Sequence, residues 1–185
     1  MWEVRVFVPL APEDDATAVC RALCSGLKIP IQYSEQRTDL YLVGSDPSVG
    51  LKYRYGNIGG DLELKRTEEF TDEGAERISK TIVSPISVRS AIERCPRVEV
   101  KKHRWNGVGG REVTLLDVDS PVAHGRWISL CIEGIPKAQV GRAHEELFTC
   151  IKAAGVPTKG EVITCSYPKW LHRVVTPEAM TKHPS

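Results

Sequence analysis

The sequence lacks an excess of either charge. Lysine and arginine number 25 against 24 aspartates and glutamates, a formal net charge of +1. Binding to nucleic acid through bulk charge is thereby excluded as the main property of the chain, although a local basic patch is not. No apolar run approaches the roughly 20 residues that cross a bilayer as a helix. The start, Met1-Trp2-Glu3-Val4-Arg5, shows no charged segment followed by an apolar one, so no secretory signal is expected. None of the six cysteines forms a Cys-x-x-Cys pair. A zinc site is not expected, and the thiols read as small reduced hydrophobes in the cytoplasm or another reducing compartment. There is no internal repeat, low-complexity tract or dividing linker. What remains is 185 residues, 41% hydrophobic and 26% charged, the size and composition of one globular domain. That domain is expected over residues 1–175, with 176–185 as a flexible tail.

Strands dominate the pattern. Trp2, Val4, Val6 and Val8 alternate with Glu3, Arg5 and Phe7, the period of a half-buried strand. Asp14 or Asp15 then caps a helix carrying Ala16, Val19, Cys20, Leu23, Cys24 and Leu27 at helical spacing. Residues 31–43 read as extended with a break at 35–38, 50–66 as a hairpin, and 67–76 as a loop or short solvated helix. A helix is expected from Ser84-Pro85 to Pro96. Strands follow at 98–105, 113–119 and 127–133, then a helix over 137–154 and a last strand at 162–167. The glycines at 56–60 and 107–110 suit hairpin turns and lack the Lys-Ser/Thr and helix of a phosphate loop. Trp105, Trp127 and Trp170 read as packing residues, and His144 as the edge of a core. This order predicts an α+β protein built on a large antiparallel sheet.

Parity places one class of residue on each strand face. Glu3 and Arg5 share a face, as do Lys52 and Arg54, Glu63 and Lys65, Lys102 and Arg104, and Asp117 and Asp119. Two arrangements satisfy this. A sheet can bury its apolar face and wet its charged one. Alternatively it can close into a barrel with the charged faces inward, which is costly unless the lumen binds something charged. Inward Arg5, Lys52, Arg54, Lys65, Lys102 and Arg104 suit a polyanion such as a triphosphate, and carboxylates on the same wall suit Mg²⁺ or Mn²⁺.

Along nearly the whole chain, and in order, these segments resemble the CYTH superfamily of triphosphate tunnel metalloenzymes, which includes thiamine triphosphatase, inorganic triphosphatases and class IV adenylate cyclases. Glu3-Val4-Arg5-Val6-Phe7 sits where that family has Glu-x-Glu-x-Lys. Leu51-Lys52-Tyr53-Arg54 resembles Leu-Arg-x-Arg, and Leu62-Glu63-Leu64-Lys65 resembles Leu-Thr-Leu-Lys. Val100-Lys101-Lys102-His103-Arg104-Trp105 resembles Val-x-Lys-x-Arg-Tyr, and Leu116-Asp117-Val118-Asp119 resembles the Leu-Asp strand. Gly125-Arg126-Trp127 precedes the place of Glu-Ile-Glu, and Ser166-Tyr167-Pro168-Lys169-Trp170-Leu171 is similar to Ser-Tyr-x-x-Trp-Leu.

The resemblance implies an antiparallel β-barrel with helices packed outside. It further implies a triphosphate substrate (inorganic polyphosphate, a nucleoside triphosphate or thiamine triphosphate) bound by Arg5, Lys52, Arg54, Lys65, Lys102 and Arg104. Glu3, Arg54 and Lys65 would then serve hydrolysis, and Glu3, Asp117, Asp119 and Glu133 would hold Mg²⁺ or Mn²⁺. A nucleic acid would enter only by a 5′-triphosphate end. The departures from the pattern are mostly lost carboxylates. Arg5 replaces the second N-terminal Glu, Phe7 replaces the Lys, Ser129 and Cys131 stand at Glu-x-Glu, and Thr164 stands near the expected C-terminal Lys. They weigh toward anion binding over metal-dependent turnover. The alternative is a catalytically degenerate barrel acting as a binding or assembly protein with a protein partner.

Overall fold

A computed structural model describes residues 1–32, 34–42, 46–56, 59–84, 97–120, 123–156 and 162–175. Its strands are β1 (Trp2–Leu10), β2 (Ser34–Leu42), β3 (Val49–Gly56), β4 (Gly59–Phe70), β5 (Ala75–Ser84), β6 (Arg97–Asn106), β7 (Arg111–Ser120), β8 (Ala123–Ile135) and the two-residue β9 (Ile163–Thr164). The helices are α1 (Ala16–Gly26), α2 (Val140–Ala153) and α3 (Tyr167–Val175). The strand order is β5-β4-β3-β2-β6-β7-β8-β1-β9, and β1 also pairs with β5. That last pairing, Trp2 with Glu76 and Glu3 with Ala75, closes eight antiparallel strands into a barrel. Closure removes the exposed edges that an open sheet would present.

The expected elements form, with three corrections. β2 runs unbroken where an interruption was expected at 35–38. Residues 67–76 are not a loop or helix: β4 continues to Phe70 through a bulge at Thr67/Glu69, and β5 starts at Ala75 after a tight turn. The expected last strand is only β9, after which the chain turns directly into α3. The expected helix over 85–96 and the tail after 175 lie outside the described residues. Asp15 caps α1, its carboxylate accepting from the amides of Thr17 and Ala18 at 3.0 Å.

The barrel has two apolar regions. Outside, Val4, Val6 and Val8 of β1, with Val113, Ile128 and Leu130, pack beneath α1 and α2 through Leu23, Leu147 and Ile151. Inside, Phe7, Tyr41, Val98, Val100, Leu116 and Val118 gather at one end of the lumen. The helix α3 lies across that end, with Trp170 fully buried and stacked on Phe7 at 4.6 Å and 4°. Tyr167 stacks on Tyr41 at 5.1 Å. Gly50 makes room for this helix, since a Cβ there would stand 2.8 Å from Cγ of Pro168. Gly110 closes the β6–β7 turn with a φ of +71°, and a Cβ would meet the Glu133 carbonyl oxygen at 2.1 Å.

Candidate functional site

The lumen changes character along its axis. Beyond the aromatic end the inward positions of every barrel strand turn charged, around a cavity of about 180 Å³. All six bases expected from the strand patterns line it: Arg5, Lys52, Arg54, Lys65, Lys102 and Arg104. Two further bases line it as well, Arg37 on β2 and Arg77 on β5. Five carboxylates share the space. Glu63, Glu112 and Glu133 line the cavity, while Glu3 and Asp39 are buried in its wall. Eight cations against five anions leave the lumen positive, although the whole chain is close to neutral.

Three carboxylates hold most of these cations in place. Asp39, with no exposed surface, contacts the Lys102 ammonium at 2.9 Å, Arg54 at 3.5 Å, Arg37 at 3.6 Å and Lys52 at 3.8 Å. Glu63 contacts Lys52 at 2.8 Å, Lys65 at 3.3 Å and Arg54 at 3.5 Å. Glu112 accepts from Arg5 at 3.0 Å and Thr114 at 2.9 Å, and pairs with Arg104 at 3.0 Å. Burial by itself would raise the carboxyl values of Asp39 and Glu112. Lys102, Lys52 and Arg37 instead hold Asp39 below the usual carboxylate range, and Arg5 and Arg104 do the same for Glu112. Both acids are therefore anionic at neutral pH.

The deep lysines are under the opposite pressure. Burial lowers Lys102 well below an ordinary lysine, against the pull of Asp39. Its ammonium donates to the Tyr41 hydroxyl at 2.5 Å and sits 4.2 Å from the Tyr167 ring centre, at the junction of charged and aromatic halves. Burial and neighbouring Lys65 push Lys52 down to about 8. The folded value lies below the ordinary 10.5, so between these values the unfolded chain binds more protons and this group makes stability rise with pH. An anion in the lumen favours the charged amine, so its binding takes up a proton and weakens as pH rises through about 8. The check is melting temperature and anion affinity against pH, each as the difference between the wild type and Lys52→Met. The difference is required because the buried thiols of Cys20, Cys24 and Cys165 are raised, and they pull stability down over an overlapping range. Profiles that superimpose for the two proteins contradict the assignment.

Asp117 and Asp119 correct the expected metal set. Both stand on the outer face of β7, where Asp117 pairs with Arg126 at 2.7 Å and Asp119 with His124 at 3.3 Å. Inward positions on β7 are Glu112, Thr114, Leu116 and Val118. Sequence reasoning therefore missed Glu112 as a lumen residue, together with Asp39, Arg37 and Arg77. The alternation Arg37, Asp39, Tyr41 against Leu40 and Leu42 was the available signal for two of them. Arg77 carried none, because apolar and polar residues do not alternate cleanly around it.

Glu3 and Glu133 do come together. With Cys131 they place one ligand-type atom each within 4.8 Å of one another. A divalent cation does not fit them. The Arg77 guanidinium already spans the two carboxylates, Nη1 to Glu3 at 2.6 Å and Nη2 to Glu133 at 3.0 Å. Arg5 stands 3.8 Å from the same Glu3 oxygen, and burial pushes the Cys131 thiol far up, so the sulfur is protonated. Mg²⁺ demands near-octahedral oxygen coordination at about 2.0–2.1 Å, and this cluster offers a forked guanidinium in that place.

Eight strands closing round a cation-lined lumen, with a helix over the apolar end, is a recognisable architecture. The chain shares its closed antiparallel barrel fold with solved proteins. It is similar to the PH1819 protein of Pyrococcus horikoshii, with a TM-score of 0.60 at 15% identity, over 92% of this chain and 98% of that one. A putative adenylate cyclase of Vibrio parahaemolyticus matches with a TM-score of 0.57 at 15% identity, over 92% and 98% of the two chains. A putative adenylyl cyclase of Hippeastrum, described as revealing a dominant triphosphatase activity, matches with a TM-score of 0.56 at 10% identity, over 92% and 93%. No family model and no curated relative matches the sequence. Among the described residues, no helix is long and apolar enough to cross a membrane.

Proposed function

We propose that this protein binds the triphosphate group of a small molecule, or inorganic tripolyphosphate itself, inside the tunnel. The observation that carries the reading is the convergence of eight cations on one small cavity whose carboxylates are too few to neutralise them. Guanidinium groups grip phosphoryl oxygens two at a time, and ammonium groups add compact point charges. The size of the cavity supports the same ligand. At about 180 Å³ it is smaller than the roughly 300 Å³ and upward of pockets that enclose whole drug-sized molecules, so a phosphate chain enters while an organic group stays at the mouth. The activity in the Hippeastrum protein's description points to the same ligand class.

Binding is a better supported reading than hydrolysis. Of the three residues that the resemblance implicates in chemistry, Arg54 and Lys65 line the cavity, which supports a role in holding the anion. Glu3 is tied to Arg77 and Arg5, and the cluster around it does not accept the cation that would orient an attacking water.

Arg54 and Arg104 are the residues with which to test this. They are partly exposed, with side chains 29% and 22% accessible, and the buried acids they face keep other cations, Asp39 keeping Lys102 and Lys52 and Glu112 keeping Arg5. Removing a charged hydrogen bond costs about 1.5–3 kcal/mol, so Arg54→Ala and Arg104→Ala should each weaken tripolyphosphate binding about tenfold to a hundredfold. Isothermal titration with tripolyphosphate, monophosphate and sulfate is the measurement. Equal affinity for sulfate and tripolyphosphate, or unchanged affinity in both variants, rejects the proposal.

A further inference from the structure

We infer that Arg77 takes the electrostatic place of a divalent cation, so that the tunnel accepts a metal-free polyphosphate and not its Mg²⁺ chelate. The inference rests on the triphosphate reading above and deepens it by naming the form of the ligand. It follows from what surrounds the two acids at the charged end. Two carboxylates facing one cavity repel each other unless a positive group lies between them. Here the group is already covalently part of the chain. Arg77 reaches from β5 to β1 and β8, one nitrogen on Glu3 and the other on Glu133, with its side chain only 15% exposed. A guanidinium satisfies both acids with fixed planar geometry and keeps its charge at every pH at which the protein is folded.

The rest of the neighbourhood agrees. Cys131, two residues along β8 from Glu133 and opposite Arg5, is neutral and contributes no thiolate. Arg5 and Lys65 stand close enough to couple electrostatically to Arg77, so an added divalent ion would enter a field that is already positive. Glu3 Oε1 is buried with no hydrogen-bond partner among the described residues. It is the one buried carboxylate oxygen of the cluster, among the described residues, left without a partner while Arg77 remains. Removing the guanidinium would free the oxygens of Glu3 and Glu133 that it now occupies.

Chelation in solution gives the test its sign. Mg²⁺ binds tripolyphosphate and removes charge from it. A tunnel that selects the free anion must then bind more weakly when Mg²⁺ is added, whereas a metal-dependent tunnel must bind more tightly. The experiment is titration of the whole protein with inorganic tripolyphosphate in EDTA and again in millimolar Mg²⁺. Electron paramagnetic resonance of Mn²⁺ added to the wild type and to Arg77→Ala runs beside it, with circular dichroism to confirm folding. Expected are binding in EDTA, an affinity loss of about tenfold or more in Mg²⁺, no bound Mn²⁺ signal from the wild type, and a bound signal from Arg77→Ala. Tripolyphosphate binding that appears only with metal, or Mn²⁺ held by the wild type, overturns the inference and leaves the triphosphate reading standing. No binding in either buffer overturns both. If Arg77→Ala does not fold, the wild-type titrations and the wild-type Mn²⁺ spectrum decide the matter.

Discussion

Asp39→Ala should lower the melting temperature by on the order of 10 °C. Asp39 is buried without exposed surface and compensates a lysine, Lys102, that is itself only 7% exposed. Removing one partner of a buried pair leaves an uncompensated charge and costs about 3–5 kcal/mol, and each kcal/mol moves the transition of a protein this size by about 2–4 °C. The same carboxylate also faces Lys52, Arg37 and Arg54, so its loss leaves Glu63 as the acid shared by Lys52 and Arg54 and raises the repulsion among the four bases. Two features separate this outcome from ordinary core damage. First, tripolyphosphate should stabilise Asp39→Ala by more than it stabilises the wild type, because the ligand brings the missing negative charge to the same ammonium and guanidinium groups. Second, raising the pH should recover part of the loss. Lys102 already lies below its ordinary value when folded, and the substitution lowers it further. Its contribution to stability therefore rises with pH through the window between the lowered value and the unfolded one. Thermal melts with and without ligand, from neutral pH to about 10, make the comparison. A shift below about 2 °C would mean that Asp39 does not organise the cluster.

The second large effect concerns the closed end. Trp170→Ala should destabilise by about 3–5 kcal/mol, the range for truncating a large buried aromatic, with a fall in melting temperature again on the order of 10 °C. Trp170 is fully buried, lies parallel to Phe7 at 4.6 Å and meets Trp127 and Tyr167 edge-on at 5.8 and 5.1 Å. Truncation removes the centre of that cluster and leaves α3 held by its flanking contacts, among them Tyr167, Leu171, Pro168 against Gly50 and Lys169 against Phe70. Trp170→Phe keeps a ring against Phe7 and should recover at least half of the loss. If Trp170→Ala melts within a few degrees of the wild type, α3 is not what seals the lumen. The two predictions are independent in kind, since one exposes a charge and the other opens a cavity, and the ligand should rescue only the first.

The strand alternation was legible for a definite reason. A barrel wall has two faces and side chains have period two, so residues that share parity share a face wherever the strand lies. Arg5, Lys52, Arg54, Lys65, Lys102 and Arg104 could be grouped before any fold was known, and all six line one cavity. Which parity faces inward was a harder matter on β7. There Asp117 and Asp119 have the polar pattern of a lumen face, and Leu116 and Val118 that of a packed one. The lumen is apolar at the α3 end and charged at the other, so the inward residues of β7 change from Glu112 and Thr114 to Leu116 and Val118 within one strand. The same change runs along β6, from Val98 and Val100 to Lys102 and Arg104, where parity had put them together. Polarity names a face only if that face has one environment from end to end, and here it has two. Arg77 was illegible for another reason. Its strand is bordered by the acidic segment 67–76, whose composition suggests a solvated loop, and only closure of β1 on β5 brings Arg77 to Glu3 and Glu133.

By itself, the sequence determined the alternation of the strands, the helical faces of α1 and α2, and the six bases that belong together, because these follow from local periodicity and are insensitive to the chain's path. The tertiary structure alone decided that the sheet closes, that the inward face is charged at one end and aromatic at the other, and that a guanidinium joins two acids at the charged end. Those depend on contacts between residues about 55 to 130 positions apart, set by barrel closure and register, and no local pattern encodes them.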